Sequence, residues 1–330
     1  MAEQAASGLS TYKPVDIQVF RHSIRDIHFD VYLKLSEDNM AHVFSKATGL
    51  DYKRLAQYIQ KGVKELFVKT EDEEAFNAFA IRTVDKIFSD PNVSNEKKIA
   101  TLLNMTEQNM AELFTQLNIN EDTANSSQKV VKNYVNLMTE SPKTLAVILK
   151  LVSHGEYLYY HSIAVAIFSI LIAKATGQFN QRTLELVGMG GFLHDIGCTK
   201  LPEEITSSAI GLTPIQWEQM RSHPKLGLQM LEGTTSIPDE VRYIVYQHHE
   251  EPGGHGYPNG LQGGAMYYPA KIVSIADAFS ALISKRPFRP AYTVEQAIQI
   301  LKSEVNKRDK ELVRLVSTIF MKQVGDQNAA

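Results

Sequence analysis

The sequence predicts a mainly α chain in which a small α/β module precedes a helical bundle. Three observations carry this expectation. Alternation of apolar and polar residues at strand spacing ends before Glu71, amphipathic helical spacing then continues almost to the C-terminus, and strong helix-start signals punctuate the second half.

Within the first module, DIQVF (16–20) and FDVYLKL (29–35) read as strands. DYKRLAQYIQKG (51–62) reads as a helix closed by Gly62, and KELFVKT (64–70) returns to strand character. EDEEAFNAFAIRTVDKIF (71–88) and EKKIATLLNMTEQNMAELFTQL (96–117) have the length and periodicity of helices, whereas the polar stretch NINEDTANSSQ (118–128) reads as a break between bundles. The domain boundary is expected within 90–145, giving an α/β regulatory or interaction domain with trailing helices over 1–125 and an all-α domain over 126–330. Further on, Thr213-Pro214-Ile215-Gln216 combines an N-cap hydroxyl, a proline in the first turn and a glutamine able to close a capping box. Pro224 and Pro238 open the next two helices, the second with Asp239 and Glu240 at its positive end. That helix runs into His248 and His249.

Composition narrows the function classes. A chain of 330 residues with 44% hydrophobic side chains is long enough for two cores. Its net charge of −3 and pI near 6.4 give no global attraction to a nucleic acid polymer or an anionic membrane, so any phosphate recognition must be local. No signal peptide pattern and no uninterrupted apolar run of spanning length is present, so a cytoplasmic protein without a membrane span is expected. The single cysteine, Cys198, excludes an internal disulfide.

Polar groups capable of chemistry recur inside apolar helical stretches. His161 lies in YYHSIAVAIFSILIA, His194 and Asp195 in GGFLHDIG, His223 in RSHPKLGLQML, His248 and His249 in VRYIVYQHHE, and Asp277 in AKIVSIADAFSAL. Burying such groups is costly unless they are paired or bind a metal, and so many on separate helices point jointly to a metal site. His22, His28, His42, His154 and His255 lack matching partners and read as structural or surface residues, with His255 the exception by its place in the glycine-rich loop.

HDIG (194–197), HP..G (223–227), HHE....GYPNGL (248–261) and IADAFSALISKRPFR (275–289) together resemble the HD-GYP subclass of HD-domain metal-dependent phosphohydrolases, in the order and approximate spacing of that family, over roughly 145–325. The resemblance implies an all-helical HD domain that hydrolyses cyclic di-GMP at a two-metal centre of iron, or alternatively manganese. It implies that His161, His194, Asp195 and Asp277 hold one ion, that Asp195 bridges with a metal-bound hydroxide, and that His223, His248 and His249 complete the second. Trinuclear members carry a glutamate where this chain has Tyr157, so two ions are expected. Arg286 and Arg289 fall where the family has phosphate-binding basic residues. Tyr257 is expected either to pack beside the ligand or to support its loop.

The chain departs from the family pattern at Cys198 in place of lysine, Ser280 in place of aspartate, Gly253 in place of aspartate, and Glu251 in place of a basic residue. Lys200 lies close enough in sequence to replace the missing lysine, and Cys198 reads as either an oxidisable thiol or a small buried filler. The metal cage is therefore expected intact and the substrate shell altered. The leading expectation is a cyclic di-GMP phosphodiesterase regulated through its N-terminal domain, with a possible protein partner there. The alternatives are a degenerate member that binds cyclic di-GMP or a protein without turnover, and an HD phosphohydrolase for another nucleotide.

Overall fold

The structure is a computed structural model and describes residues 12–21, 23–36, 39–90, 92–115, 119–140, 157–206, 211–285, 289–304 and 306–328. The chain divides into two compact units, Met1–Thr101 and Leu102–Ala330.

In the first unit four antiparallel strands, β1 (Tyr12–Asp16), β2 (Val31–Ser36), β3 (Asn39–Phe44) and β4 (Glu65–Lys69), form one sheet in the order β1-β4-β2-β3. Val15, Val31, Leu66 and Val68 point to a core that also receives Phe20, Phe29, Phe76 and Phe79, whose rings pack edge to face or tilted. Helix α2 (Tyr52–Gln60) starts where Asp51 accepts from the amides of Lys53 and Arg54, and α3 (Glu73–Ser89) brings Phe76 and Phe79 to the same core. The expected strand over 16–20 is not formed. The strand starts four residues earlier, at Tyr12, and α1 (Gln18–Arg21) follows, because Ile17 and Phe20 enter the core three residues apart, a helical spacing. Strand β3 was not anticipated from NMAHVF; its pairing with β2 supplies what its weak alternation does not.

Helices dominate the remainder. Helix α4 (Asn95–Thr115) is followed by α5 (Glu121–Glu140), which occupies most of the polar stretch expected to be a break. Asn120 accepts from the amide of Thr123 at 2.8 Å, Glu121 and Asp122 lie in the positive first turn, and buried Ser127 bonds Thr123 O and Asn109 Oδ1. The polar residues thus cap and satisfy a helix instead of interrupting it.

Helices α6 (Tyr157–Ala175), α7 (Gln181–Leu193) and α12 (Tyr268–Ile283) pack together at the centre of the second unit. Residues 161–170 of α6 are buried all round, as its apolar composition requires. A 3₁₀ turn (Ile196–Lys200) and the short α8 (Glu203–Thr206) lead to α9 (Pro214–Met220), which starts with the expected capping box of Thr213 and Gln216. Then come α10 (His223–Leu231), α11 (Asp239–Gln247), α13 (Val294–Ser303) and α14 (Lys310–Asn328). Among the described residues no helix is long and apolar enough to cross a membrane.

Candidate metal centre

Five separate helices deliver the predicted ligands to one place. His161 lies in the first turns of α6, His194 and Asp195 follow the end of α7, His223 opens α10, and His248 and His249 follow α11. Asp277 lies within α12, which packs on α6. Gly197 makes one of these approaches possible: a Cβ there would stand 2.0 Å from the carbonyl oxygen of His223. Only glycine lets the turn after Asp195 press against the start of α10.

Asp195 is the shared member. Its Oδ2 faces His194 Nε2 at 3.3 Å and His161 Nε2 at 3.9 Å, while its Oδ1 faces His223 Nε2 at 3.3 Å and His248 Nε2 at 3.8 Å. Two sets of converging ligand atoms result, one from His161, His194 and Asp195, the other from Asp195, His223, His248 and His249. Asp277 Oδ1 joins the first set, 3.1 Å from His161 Nε2 and 4.0 Å from His194 Nε2.

The tautomers show what this geometry needs. Nδ1 of His194, His223 and His248 each lies 2.8 Å from a backbone carbonyl three residues earlier, of Gly191, Met220 and Val245. A carbonyl only accepts, so each Nδ1 carries a proton and each Nε2 is left facing the centre, the atom that offers a lone pair once unprotonated. His223 Nε2 and His248 Nε2 are 3.2 Å apart, and His194 Nε2 is buried with no hydrogen-bond partner. Lone pairs held this close repel unless a cation lies among them. The separations suit ligands sharing an ion at roughly 2.0–2.2 Å from each. The residues therefore fit divalent metal, and imidazole with carboxylate and no thiolate suits iron or manganese.

Electrostatics agree. Burial opposes ionisation of Asp195 and Asp277, yet His194 beside the first and His161 beside the second hold both carboxyls well below the usual range. Burial works against a charged His194, but Asp195 and then Asp277 outweigh it and raise the ring to about 9. His223 is lowered to about 4 and His249 is pushed well down, in both cases chiefly by burial and with His248 adding to it, so these rings are neutral.

Around the ligands, Tyr257 stacks on His249 at 4.7 Å and 29°. Burial raises its phenol well above the ordinary value, so it stays protonated. Its peptide bond to Pro258 is cis. Ser280 is fully buried, and its Oγ lies 3.1 Å from His161 Nδ1, so the residue standing at the family's aspartate position still holds the ring. The Cys198 thiol faces Asp195, and burial followed by that carboxylate raises it well above its usual value, so it is a neutral neighbour. Gly253 donates its amide to Asn306 O at 3.0 Å, and a Cβ there would meet the same oxygen at 2.8 Å. Lys200 is half-buried at the end of the 3₁₀ turn. His255 is exposed and outside both ligand sets.

Arg289 directs Nη1 and Nη2 to the carbonyls of Leu282, Ala281 and Pro290, with its guanidinium 4.5 Å from the Tyr292 ring centre. In this arrangement it caps the end of α12. Arg286, His22 and His154 lie outside the described residues.

Two functional neighbours escaped the sequence reading. Glu250, wholly buried, accepts from the amides of Asn259 and Leu261, each at 2.7 Å, and so closes the loop that carries Tyr257. Its place directly after the histidine pair was the available signal. Arg221, two residues before His223, holds its guanidinium 5.7 Å from the Tyr257 ring centre.

Residues 164–312 match the family model described as HD domain. HDIG supplies the carboxylate common to both candidate ligand sets, and the GYP loop stacks on a ring of one of them. Residues 164–312 of the helical unit match an HD domain, and their motifs are of the HD-GYP type. The chain is 34% identical over 132 residues to the cyclic di-GMP phosphodiesterase response regulator RpfG of Xanthomonas campestris, covering 40% of this chain and 35% of that protein. It is 28% identical over 204 residues to the cyclic di-GMP phosphodiesterase PA4108 of Pseudomonas aeruginosa, covering 62% and 48%. The chain thus spans about half or less of the length of these relatives. Among solved structures, Bd1817, described as an HDG"Y"P protein from Bdellovibrio bacteriovorus, superimposes with a TM-score of 0.66 at 21% identity, covering 94% of this chain and 99% of that one, which establishes a shared fold.

Proposed function

We propose that the protein hydrolyses a phosphodiester bond of cyclic di-GMP at a centre of two metal ions, iron or manganese. The observation that carries this reading is the division of Asp195, one oxygen toward each histidine set. His161, His194 and Asp277 would hold one ion, His223, His248 and His249 the other, and Asp195 would be common to both. A pair of such ions supplies charge neutralisation at the phosphate and a water acidic enough to attack near neutral pH.

The chain's own groups prepare that chemistry. Carbonyls behind His194, His223 and His248 fix their tautomers, and Ser280 holds His161. Tyr257 walls the His249 side, and its protonated phenol offers a donor without adding negative charge where an anionic substrate must enter. The kinship with two cyclic di-GMP phosphodiesterases supports the substrate. The test is incubation of the metal-loaded full chain with cyclic di-GMP: linear pGpG or GMP is expected, and an unchanged dinucleotide sinks the proposal.

A second reading, binding without turnover, is favoured by one observation. At Gly253, where the family pattern has an acid, the backbone docks on Asn306 and presents no side chain. Tight binding with no product in the same assay would select it. The N-terminal unit is proposed as the regulatory or partner-binding part.

A further inference from the structure

The helix that precedes the second histidine set ends in a cation whose one contact among the described residues is an aromatic ring. Arg221 follows α9, its amide bonded to Trp217 O, and its side chain is exposed. Three other arginines of the same unit are committed. Arg242 donates to Asp239 and to the carbonyls of Leu231 and Thr234, Arg289 to the end of α12, and Arg308 to Ser274 and Glu304. Among the described residues the Arg221 guanidinium has no carboxylate or carbonyl partner; its one contact is the Tyr257 ring at 5.7 Å, within cation–π reach. Since Tyr257 stacks on His249, a file of His249, Tyr257 and Arg221 runs from a candidate metal ligand to an exposed guanidinium.

A cyclic dinucleotide carries two phosphodiesters, and only one at a time can occupy the metal centre. The other remains an anion close to Asp195 and Asp277, in a protein whose net charge is −3 and which therefore attracts anions only locally. A guanidinium presents paired donors that match two phosphate oxygens, and here an aromatic ring already restrains it, lowering the entropy lost on contact.

We infer that Arg221 is a substrate-binding residue that takes the phosphate not undergoing cleavage, with Tyr257 as its platform. This inference rests on the cyclic dinucleotide reading above.

The test compares the metal-loaded full chain with Arg221→Gln and Arg221→Lys, using the slowly hydrolysed bis-phosphorothioate analogue of cyclic di-GMP in calorimetric titrations, with GMP as a single-phosphate comparator and metal content measured throughout. Arg221→Gln is expected to weaken analogue binding roughly 10- to 100-fold at unaltered metal content, the loss of a charge-assisted bidentate contact. Arg221→Lys should recover part of it, and the salt dependence should flatten in the glutamine variant. Equal loss for GMP would move Arg221 to the metal-proximal phosphate and overturn the assignment. Unchanged analogue binding overturns it while leaving the hydrolase reading standing. If the unmodified chain itself fails to bind the analogue, the dinucleotide reading falls and this inference with it.

Discussion

Replacing Glu250 by glutamine tests whether the GYP loop is fastened to the ligand helix by one buried carboxylate. Its two oxygens each accept a 2.7 Å bond, from the amides of Asn259 and Leu261, and its side chain is excluded from solvent. Glutamine keeps the shape and one acceptor but turns an NH₂ group toward the second amide. One charge-assisted hydrogen bond is lost, which lies in the range of about 1.5–3 kcal/mol for bonds to charged groups. Asn259 is exposed and Leu261 half-buried, so water can partly replace the lost acceptor, and the lower end, about 1.5 kcal/mol, applies. For a unit of this size that is a fall in Tm of about 3–6 °C. Differential scanning calorimetry of the full chain in excess chelator measures it without a contribution from bound metal. The His249–Tyr257 stack should loosen as well, so cyclic di-GMP turnover should fall further than stability alone explains. A Tm within about 1 °C of the unmodified chain, beyond the scatter allowed for near-neutral substitutions, refutes the reasoning.

Further outcomes follow from the metal centre and the surrounding contacts. Asp195→Ala should empty both halves of the centre in elemental analysis, whereas His249→Ala should empty only the half containing His223 and His248; equal retention by the two variants contradicts a shared carboxylate. Because Asp195 and Asp277 overcome burial to raise His194 to about 9, the metal-free ring is protonated at pH 7.5, and loading must expel that proton. Metal affinity should therefore climb with pH up to about 9, with net proton release seen by calorimetry in buffers of different ionisation enthalpy, and a flat profile from pH 6 to 8 would oppose it. Ser280→Ala should weaken metal retention against a chelator roughly 10-fold or more, as removing a hydrogen bond behind a ligating histidine does, while Ser280→Asp retains it. Hydrogen bonds from Ser236 and Thr235 hold Glu121 near 2. Its folded pKa is depressed, so its stabilising effect is present above the ordinary 4.5 and disappears as pH falls toward 2; the Tm gap between the unmodified chain and Glu121→Gln should close over that window.

The convergence of these histidines and acids was legible because such residues in apolar helices have few inexpensive fates, and because their order along the chain carries a family signature. What remained hidden depends on direction and company. Glu250 in HHE is as acidic as Glu251 beside it, and only the fold shows that the first points inward to two amides. Arg289 and Arg221 are alike as letters; one meets helix-end carbonyls, the other a tyrosine face. The stretch at 118–128 misled because polar residues that cap a helix and those that break one have the same composition. Strand β3 draws its stability from its neighbour, a term no local pattern contains.

The bond from each of three histidines to the carbonyl three positions behind it has a consequence for how such a centre changes over evolutionary time. Ring orientation is set within a single turn of its own backbone, so the aim of each Nε2 is inherited locally. Distant parts of the bundle are then free to diverge, and the pocket's outer lining can be recast for a different cargo while the aim of these three rings persists.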